Sequence, residues 1–234
     1  MIERGFDRAV RAIIALKYRY VRSRIKWHNR GLATGSSGRV QDLRPYSDPQ
    51  CVNSFNTWGR GTAWTEIQYL LTLVEGRVLD VACGTGEVLE EIEALRSCQP
   101  YGCDLSGYLL KHAVARGISP GRLAVCDATR LPYVDGAFSC TYSIGSLEHF
   151  SETGIGDMLA ESRRTARDFS FHQIPTSRSN RDEGWITAGQ SFFNNSVDWW
   201  QSRFGRIFPA VDVLESRWED AISVGRWFVC KVRE

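Results

Sequence analysis

The sequence predicts an open α/β domain: a doubly wound, mostly parallel sheet of seven strands with an antiparallel C-terminal hairpin, preceded by an N-terminal helical arm. Three observations lead there. Short β-rich runs alternate with helical periodicity from Val78 to Ile174, and right-handed crossovers convert that order into a sheet covered by helices on both faces. A glycine-rich bend lies between the first of these strands and the next helix, where such sheets bind ligands at their carboxyl edge. Residues 211–234 hold two further β-rich segments broken at Glu219 to Gly225, which read as a hairpin closing one sheet edge.

The elements follow in order. Ile14, Tyr18, Val21 and Ile25 recur at helical spacing among arginines and lysines, predicting an amphipathic helix from about residue 3 to 27. A polar stretch rich in Gly, Ser and Pro, residues 30–50, reads as a linker. We therefore expect an arm over 1–48 and a body over 49–234. Ala63 to Leu73 reads as a helix and Val78 to Val81 as a buried strand. Val88, Leu89, Ile92 and Leu95 give one apolar helical face, and PYGCD is a strand ending on Asp104. A helix over Gly107 to Ala115, strands at Leu123 to Cys126 and Phe138 to Ser143, a helix around Ile155 to Ala166 and a strand from Phe169 to Ile174 complete the alternation.

Composition narrows the class. Hydrophobic content of 43% and charged content of 24% are globular values, and no run reaches the roughly 18 apolar residues of a membrane span. The charged start lacks the apolar stretch of a secretory signal, so a cytoplasmic location is expected. Seven cysteines form no CxxC pair and are odd in number, which suggests neither a disulfide framework nor a metal site. Residues 1–40 carry ten Lys/Arg against Glu3 and Asp7, a charge of +8 in a chain whose total is +2, which leaves −6 for the remainder.

The segment VLDVACGTG, Val78 to Gly86, carries the most chemistry. Its glycines follow a strand and open a helix, where the backbone can approach a ligand. A dinucleotide fingerprint starting at Gly84 needs a glycine where Leu89 stands, and a P-loop needs a Gly-Lys-Ser/Thr that is absent. Asp104 ends the second strand twenty positions after Gly84, where a carboxylate can take both hydroxyls of a ribose, a spacing common to several nucleotide and nucleoside sites.

VLDVACGTG resembles the first motif of the class I S-adenosylmethionine (SAM) dependent methyltransferases, its Ala-Cys variant being similar to that of the ubiquinone and menaquinone methyltransferases. VCDATRLPYVDGAFS and SIGSLEHF resemble later motifs of the same family, in the same order. The resemblance implies a Rossmann-like fold and SAM as cofactor. It implies that Asp80 steers the SAM amino group and that the backbone of Ala82, Cys83, Gly84 and Gly86 wraps the methionine end. Asp104, with Leu105 beside it, would take the ribose, and Asp127 and Ala128 the adenine. Ser143, Glu148 and His149 would stand where SAM and acceptor meet, His149 being either a base or structural. In TWGRGTAWTEI, Arg60 would either pair with the SAM carboxylate or lie on the surface.

Two departures stand out. RRTARDFSFHQIP lacks the Pro-Gly-Gly turn frequent in the family, and residues 175–204 replace a region that in relatives builds the acceptor pocket. Trp199 and Trp200 there either line that pocket or pack on the sheet. The expected acceptor is a small-molecule, sugar or lipid-like compound methylated at oxygen, with nucleic acid, RNA above all, as the alternative and a non-catalytic SAM-binding partner protein as another. Residues 1–27 would either dock on an anionic membrane surface or close over the site as a lid.

Overall fold

The computed structural model describes residues 43–49, 52, 56–188 and 190–234. The amphipathic helix expected over 3–27 lies outside them. The body contains α1 (Ala63–Leu71), β1 (Gly76–Val81), α2 (Glu87–Ile92), β2 (Cys98–Asp104), α3 (Gly107–Ala115), β3 (Leu123–Val125), β4 (Phe138–Ile144), α4 (Glu152–Thr165), β5 (Ala166–Ser177), β6 (Trp185–Ala188), β7 (Gln190–Phe193), α5 (Val197–Phe204), β8 (Ala210–Glu219) and β9 (Ser223–Lys231), with short 3-10 turns at Arg44–Ser47, Pro120–Arg122 and Leu147–His149.

Seven strands form one sheet in the order β3-β2-β1-β4-β5-β9-β8. The first five are mutually parallel, and β9 runs antiparallel between β5 and β8. The chain reverses direction of travel across the sheet between β1 and β4, so the carboxyl ends of these two strands flank the crevice where a doubly wound sheet takes its ligand. The sequence expectation of fold holds, hairpin included.

Period-two alternation, shifted by the irregularity between Phe138 and Cys140 in β4, divides the core between the two faces. Val78, Cys140, Tyr142, Phe171 and Trp227 pack under α1 and α2, while Leu79, Val81, Phe138, Phe228 and Cys230 pack under α4 and α5. Caps fix where the helices begin. Ser106 Oγ accepts the Leu109 N–H at 3.2 Å, Ser151 Oγ that of Gly154 at 3.1 Å, and Ser196 Oγ that of Trp199 at 3.1 Å.

Several boundaries differ from the sequence reading. Strand β5 continues through Pro175 to Ser177, because odd-numbered residues here turn their backbone groups away from β9, as the Gln173 carbonyl does in accepting from Gly145 and the Ser177 N–H in donating to Asn195. The pairing of β4 stops at Gln173, so the missing N–H of Pro175 leaves no ladder position empty. The C-terminal hairpin turns over residues 220–222, and Gly225 is already paired with Pro175 inside β9. A second small sheet, β6 with β7, was absent from the sequence reading. Residues 43–47 reach the body, where the Tyr46 carbonyl accepts from Ser106 Oγ at 2.6 Å.

The hairpin edge is fastened to the helical layer by one carboxylate. Glu66 on α1 accepts from Ser216 Oγ (2.7 Å), the Arg217 N–H (2.7 Å) and Trp227 Nε1 (2.8 Å). Trp227 is 2% exposed, so no water replaces the acceptor if the carboxylate is removed. Glu66→Ala is expected to lower the unfolding free energy by about 2 kcal/mol, read by urea denaturation; a change below about 0.5 kcal/mol would show that the hairpin is held by apolar packing alone.

Candidate active site

At the end of β1 the chain enters a bend that three residues make possible by positive φ: Ala82 (65°), Gly84 (55°) and Gly86 (75°). The bend is tied to β2 on both sides. Cys83 N–H donates to the Cys103 carbonyl at 2.9 Å, and Gly84 N–H donates to Asp104 Oδ2 at 2.9 Å, while Asp104 Oδ1 accepts from Ser106 N–H at 2.8 Å. The two glycines serve different ends. A Cβ on Gly86 would sit 2.6 Å from that of Ala113, so Gly86 lets α2 and α3 approach, whereas a Cβ on Gly84 would meet nothing within 4 Å. Gly84 faces open space.

That space is a cavity of about 420 Å³, within the range of small-ligand sites. Its floor is Asp80, Ala82, Cys83 and Gly84 from the β1 bend, with Asp104 and Leu105 from the end of β2 and Cys126, Asp127 and Ala128 after β3. The opposite side comes from Ile144, Gly145, Ser146, His149 and Phe150 after β4, and from Trp58 and Trp64. Tyr46 and Gln190 also line it, joined by a hydrogen bond from Gln190 Nε2 to the Tyr46 hydroxyl at 2.7 Å. Trp58 is held against Gly145, where a Cβ would lie 2.6 Å from its ring, and it stacks on Trp218 at 4.5 Å.

Residues 78–168 match the family model described as a methyltransferase domain. Over 91 residues the chain is 36% identical to the probable tRNA methyltransferase 9B of Mus musculus, a stretch that is 38% of this chain and 19% of that protein. The matched segment thus spans about a fifth of that relative. Among solved structures, the chain is similar to the complex between the Haloferax volcanii Trm112 methyltransferase activator and a putative methyltransferase (TM-score 0.62, 13% identity, 84% of this chain and 100% of that one). It is also similar to Haemonchus contortus phosphoethanolamine N-methyltransferase 2 in complex with SAM (TM-score 0.63, 13% identity, 83% and 61%). Residues 78–168 thus match a methyltransferase domain, and the sheet around them has the fold of solved SAM-dependent methyltransferases.

The methyltransferase domain offers SAM a site that fits it. Each oxygen of Asp104 takes one backbone N–H and keeps a second lone pair for a ribose hydroxyl. Asp127 Oδ1 is occupied by the N–H and hydroxyl of Thr129, at 2.8 and 2.7 Å, which fixes the orientation of the carboxylate. Burial pushes Asp80 up to about 8; the adjacent Tyr142 hydroxyl opposes this and Asp104 reinforces it. Asp80 is therefore protonated at neutral pH until a cation faces it.

Next to the cavity, His149 Nδ1 lies 2.8 Å from the Ser191 carbonyl on β7. A carbonyl only accepts, so Nδ1 carries the proton and Nε2 presents a lone pair. Burial lowers His149 to about 4, with the Ser191 hydrogen bond opposing. Glu148 Oε1 stands 3.7 Å from Nε2, and burial raises this carboxyl to about 8.

The cavity gathers Asp80, Ala82, Cys83, Gly84, Asp104, Leu105, Asp127, Ala128 and His149 from the sequence-predicted set, with Gly86 directly behind. Glu148 is buried beside His149 without lining the cavity. Four residues are placed elsewhere. Arg60 is engaged by Glu87 at 3.1 Å, with its side chain 60% exposed. Ser143 is directed into the sheet interior, Oγ 2.8 Å from His172 Nδ1. Trp200 is fully buried on the core-facing side of α5, and Trp199 stacks beneath Arg203, 3.2 Å from ring centroid to guanidinium carbon. Of the missed aromatic side, Tyr46 and Trp58 lay in the linker and pre-strand segments, where no periodicity marks a pocket wall, and Trp64 lies on the buried stripe of α1, which reads as core.

The two glycines separate binding from folding. Gly84→Ala is expected to fold with a loss of about 1–2 kcal/mol from its left-handed backbone while weakening SAM binding at least about tenfold, roughly 1.4 kcal/mol. Gly86→Ala is expected to lose more stability, since its Cβ adds a clash with Ala113. Calorimetry and thermal melts on both variants check this, and undiminished SAM affinity in Gly84→Ala would contradict the cradle.

Proposed function

We propose that this chain is an enzyme that transfers a methyl group from SAM to an oxygen or nitrogen of an RNA acceptor, in the cytoplasm. The observation that carries methyl transfer is the Asp104-pinned bend opening onto the cavity, which suits a nucleoside ligand without phosphate. RNA as acceptor is supported by the relatedness to proteins named as tRNA methyltransferases and by the +8 charge of residues 1–40, which suits a polyanion. This moves the acceptor from the small molecule expected from sequence to the alternative weighed beside it.

When bound, SAM supplies an electrophilic methyl group on a sulfonium. The chain's own residues do the rest. Asp104 holds the ribose hydroxyls, and Asp127 with the Ala128 backbone receives the adenine. Asp80, neutral in the free protein, becomes the counter-charge of a cation and releases its proton on binding. Tyr46, Trp58, Trp64 and Phe150 exclude water and offer flat faces to a base turned out of its stack. His149 Nε2 accepts the proton that a hydroxyl or amino nucleophile sheds as it is methylated, while Ser191 keeps the ring in that tautomer. Alignment of acceptor and leaving group supplies most of the acceleration, with the base adding about 10²- to 10⁴-fold.

A small-molecule acceptor is the second reading. It is favoured by the Tyr46–Gln190 bridge, which joins two lining residues and leaves less room for a macromolecule.

Two measurements test the proposal. At pH 7, calorimetry in buffers of different ionisation enthalpy should show the parent releasing nearly one proton more on binding SAM than Asp80→Asn does; equal release would contradict the role of Asp80. Labelled methyl should pass from SAM to unfractionated RNA and fall at least about tenfold in His149→Ala; label passing solely to small metabolites would establish the second reading instead.

A further inference from the structure

A second cleft, of about 520 Å³, opens at the amino edge of the sheet, opposite the cofactor cavity. Four arginines line it from separate parts of the chain: Arg163 and Arg164 at the end of α4, Arg206 after α5 and Arg233 after β9. The acid in its lining is Asp135. That charge is already taken, because Arg164 binds Asp135 Oδ1 (2.8 Å), both oxygens of Glu161 (2.7 and 2.8 Å) and the carbonyls of Leu131 and Tyr133. Arg163 is pinned across the cleft by donating from Nη1 to the Ile207 carbonyl at 2.6 Å. The guanidinium groups of Arg206 and Arg233 have no protein partner among the described residues.

Three uncompensated guanidiniums therefore converge on one open cleft in a body whose residues 41–234 carry −6. Surface arginines ordinarily spread out or pair with nearby acids. Here the acid that lines the cleft among the described residues is neutralised by a fourth arginine, and one of the three is held in place. Guanidinium groups gathered in this way match phosphate oxygens, which they bind by paired hydrogen bonds. Strand β4, seven residues long, separates this edge from the acceptor side of the cavity by ~20 Å at ~3.3 Å per residue. A small acceptor cannot touch both. A folded polynucleotide can.

We propose that the cleft of Arg163, Arg206 and Arg233 binds the phosphodiester backbone of the RNA acceptor, away from the methylated nucleotide. This rests on the RNA reading above and adds a docking site to it. The contacts fix register and supply salt-dependent affinity while leaving the chemistry to the cavity.

The test uses the full chain and unfractionated tRNA, with fluorescence anisotropy measured across a series of salt concentrations. The double variant Arg206→Glu with Arg233→Glu is expected to bind tRNA at least about tenfold more weakly and to show a salt slope smaller by about 2. Its SAM affinity and melting temperature should match the parent, since both side chains are exposed. The pair Arg206→Lys with Arg233→Lys should keep most of the salt slope. If the charge-reversed variant binds tRNA with the parent's affinity and slope while both methylate RNA, the cleft is not the docking site and the RNA reading stands. If the parent neither binds nor methylates tRNA, the RNA reading falls and takes this site with it.

Discussion

The hydrogen bonds from Gly84 N–H and Ser106 N–H to the Asp104 carboxylate hold together everything that gives this chain a ligand site. They lock a bend that turns through positive φ at alternate residues to the end of the neighbouring strand, so β1 and β2 finish level, with Asp80 opposite Gly102 and Val81 opposite Cys103. Gly102 in turn leaves room for Cys83 and Leu89, whose side chains would lie 2.7 and 2.6 Å from a Cβ there. Ala82 keeps a left-handed conformation that costs about 1–2 kcal/mol for a residue with a side chain. It persists because the residues around it are fixed on both sides.

The same burial that shapes the cavity sets its charge. Asp80 and Glu148, both raised to about 8, favour their neutral forms in the folded chain. The stability they contribute is complete below the ordinary carboxylate range and is lost as pH rises towards 8. His149 and His172, lowered to about 4 and about 3 by burial, act in the opposite sense. Their contribution is complete above about 6.5 and declines as pH falls through those values. Keeping Asp80, Glu148 and the two imidazoles in their neutral forms avoids burying uncompensated charge, and under the proposed function a cationic ligand supplies the charge that lets Asp80 ionise.

Much of this was legible in the sequence because it depends on local rules. The strand-bend-helix at Val78 to Gly86, the strand-ending Asp104 and the C-terminal hairpin each follow from residue type and spacing. What failed depends on register or on distant packing. Ser143 and His172 face each other because β4 and β5 pair in a particular register, which periodicity does not contain. Trp200 is different: Val197, Trp200 and Phe204 already give the i, i+3, i+7 stripe of a packed helix, so its burial could have been read. The β6–β7 pair was signalled too, by the aromatic and β-branched run of WITAGQSFF with a central glycine, yet its role in orienting His149 through Ser191 could not be. Trp58 and Tyr46 reach the cavity through contacts with residues 87 or more positions away, such as Gly145 and Gln190. No local pattern encodes such contacts.

The central claim is that the bend from Ala82 to Gly86, fixed by Asp104, is where the methyl donor binds. Hydrogen exchange of the full chain with and without S-adenosylhomocysteine tests it most directly. The account predicts added protection at residues 82–86, 104–106 and 127–129, where three separate strand ends meet at one cavity. Saturating binding that leaves all three segments unprotected, with protection elsewhere in the chain, would contradict it.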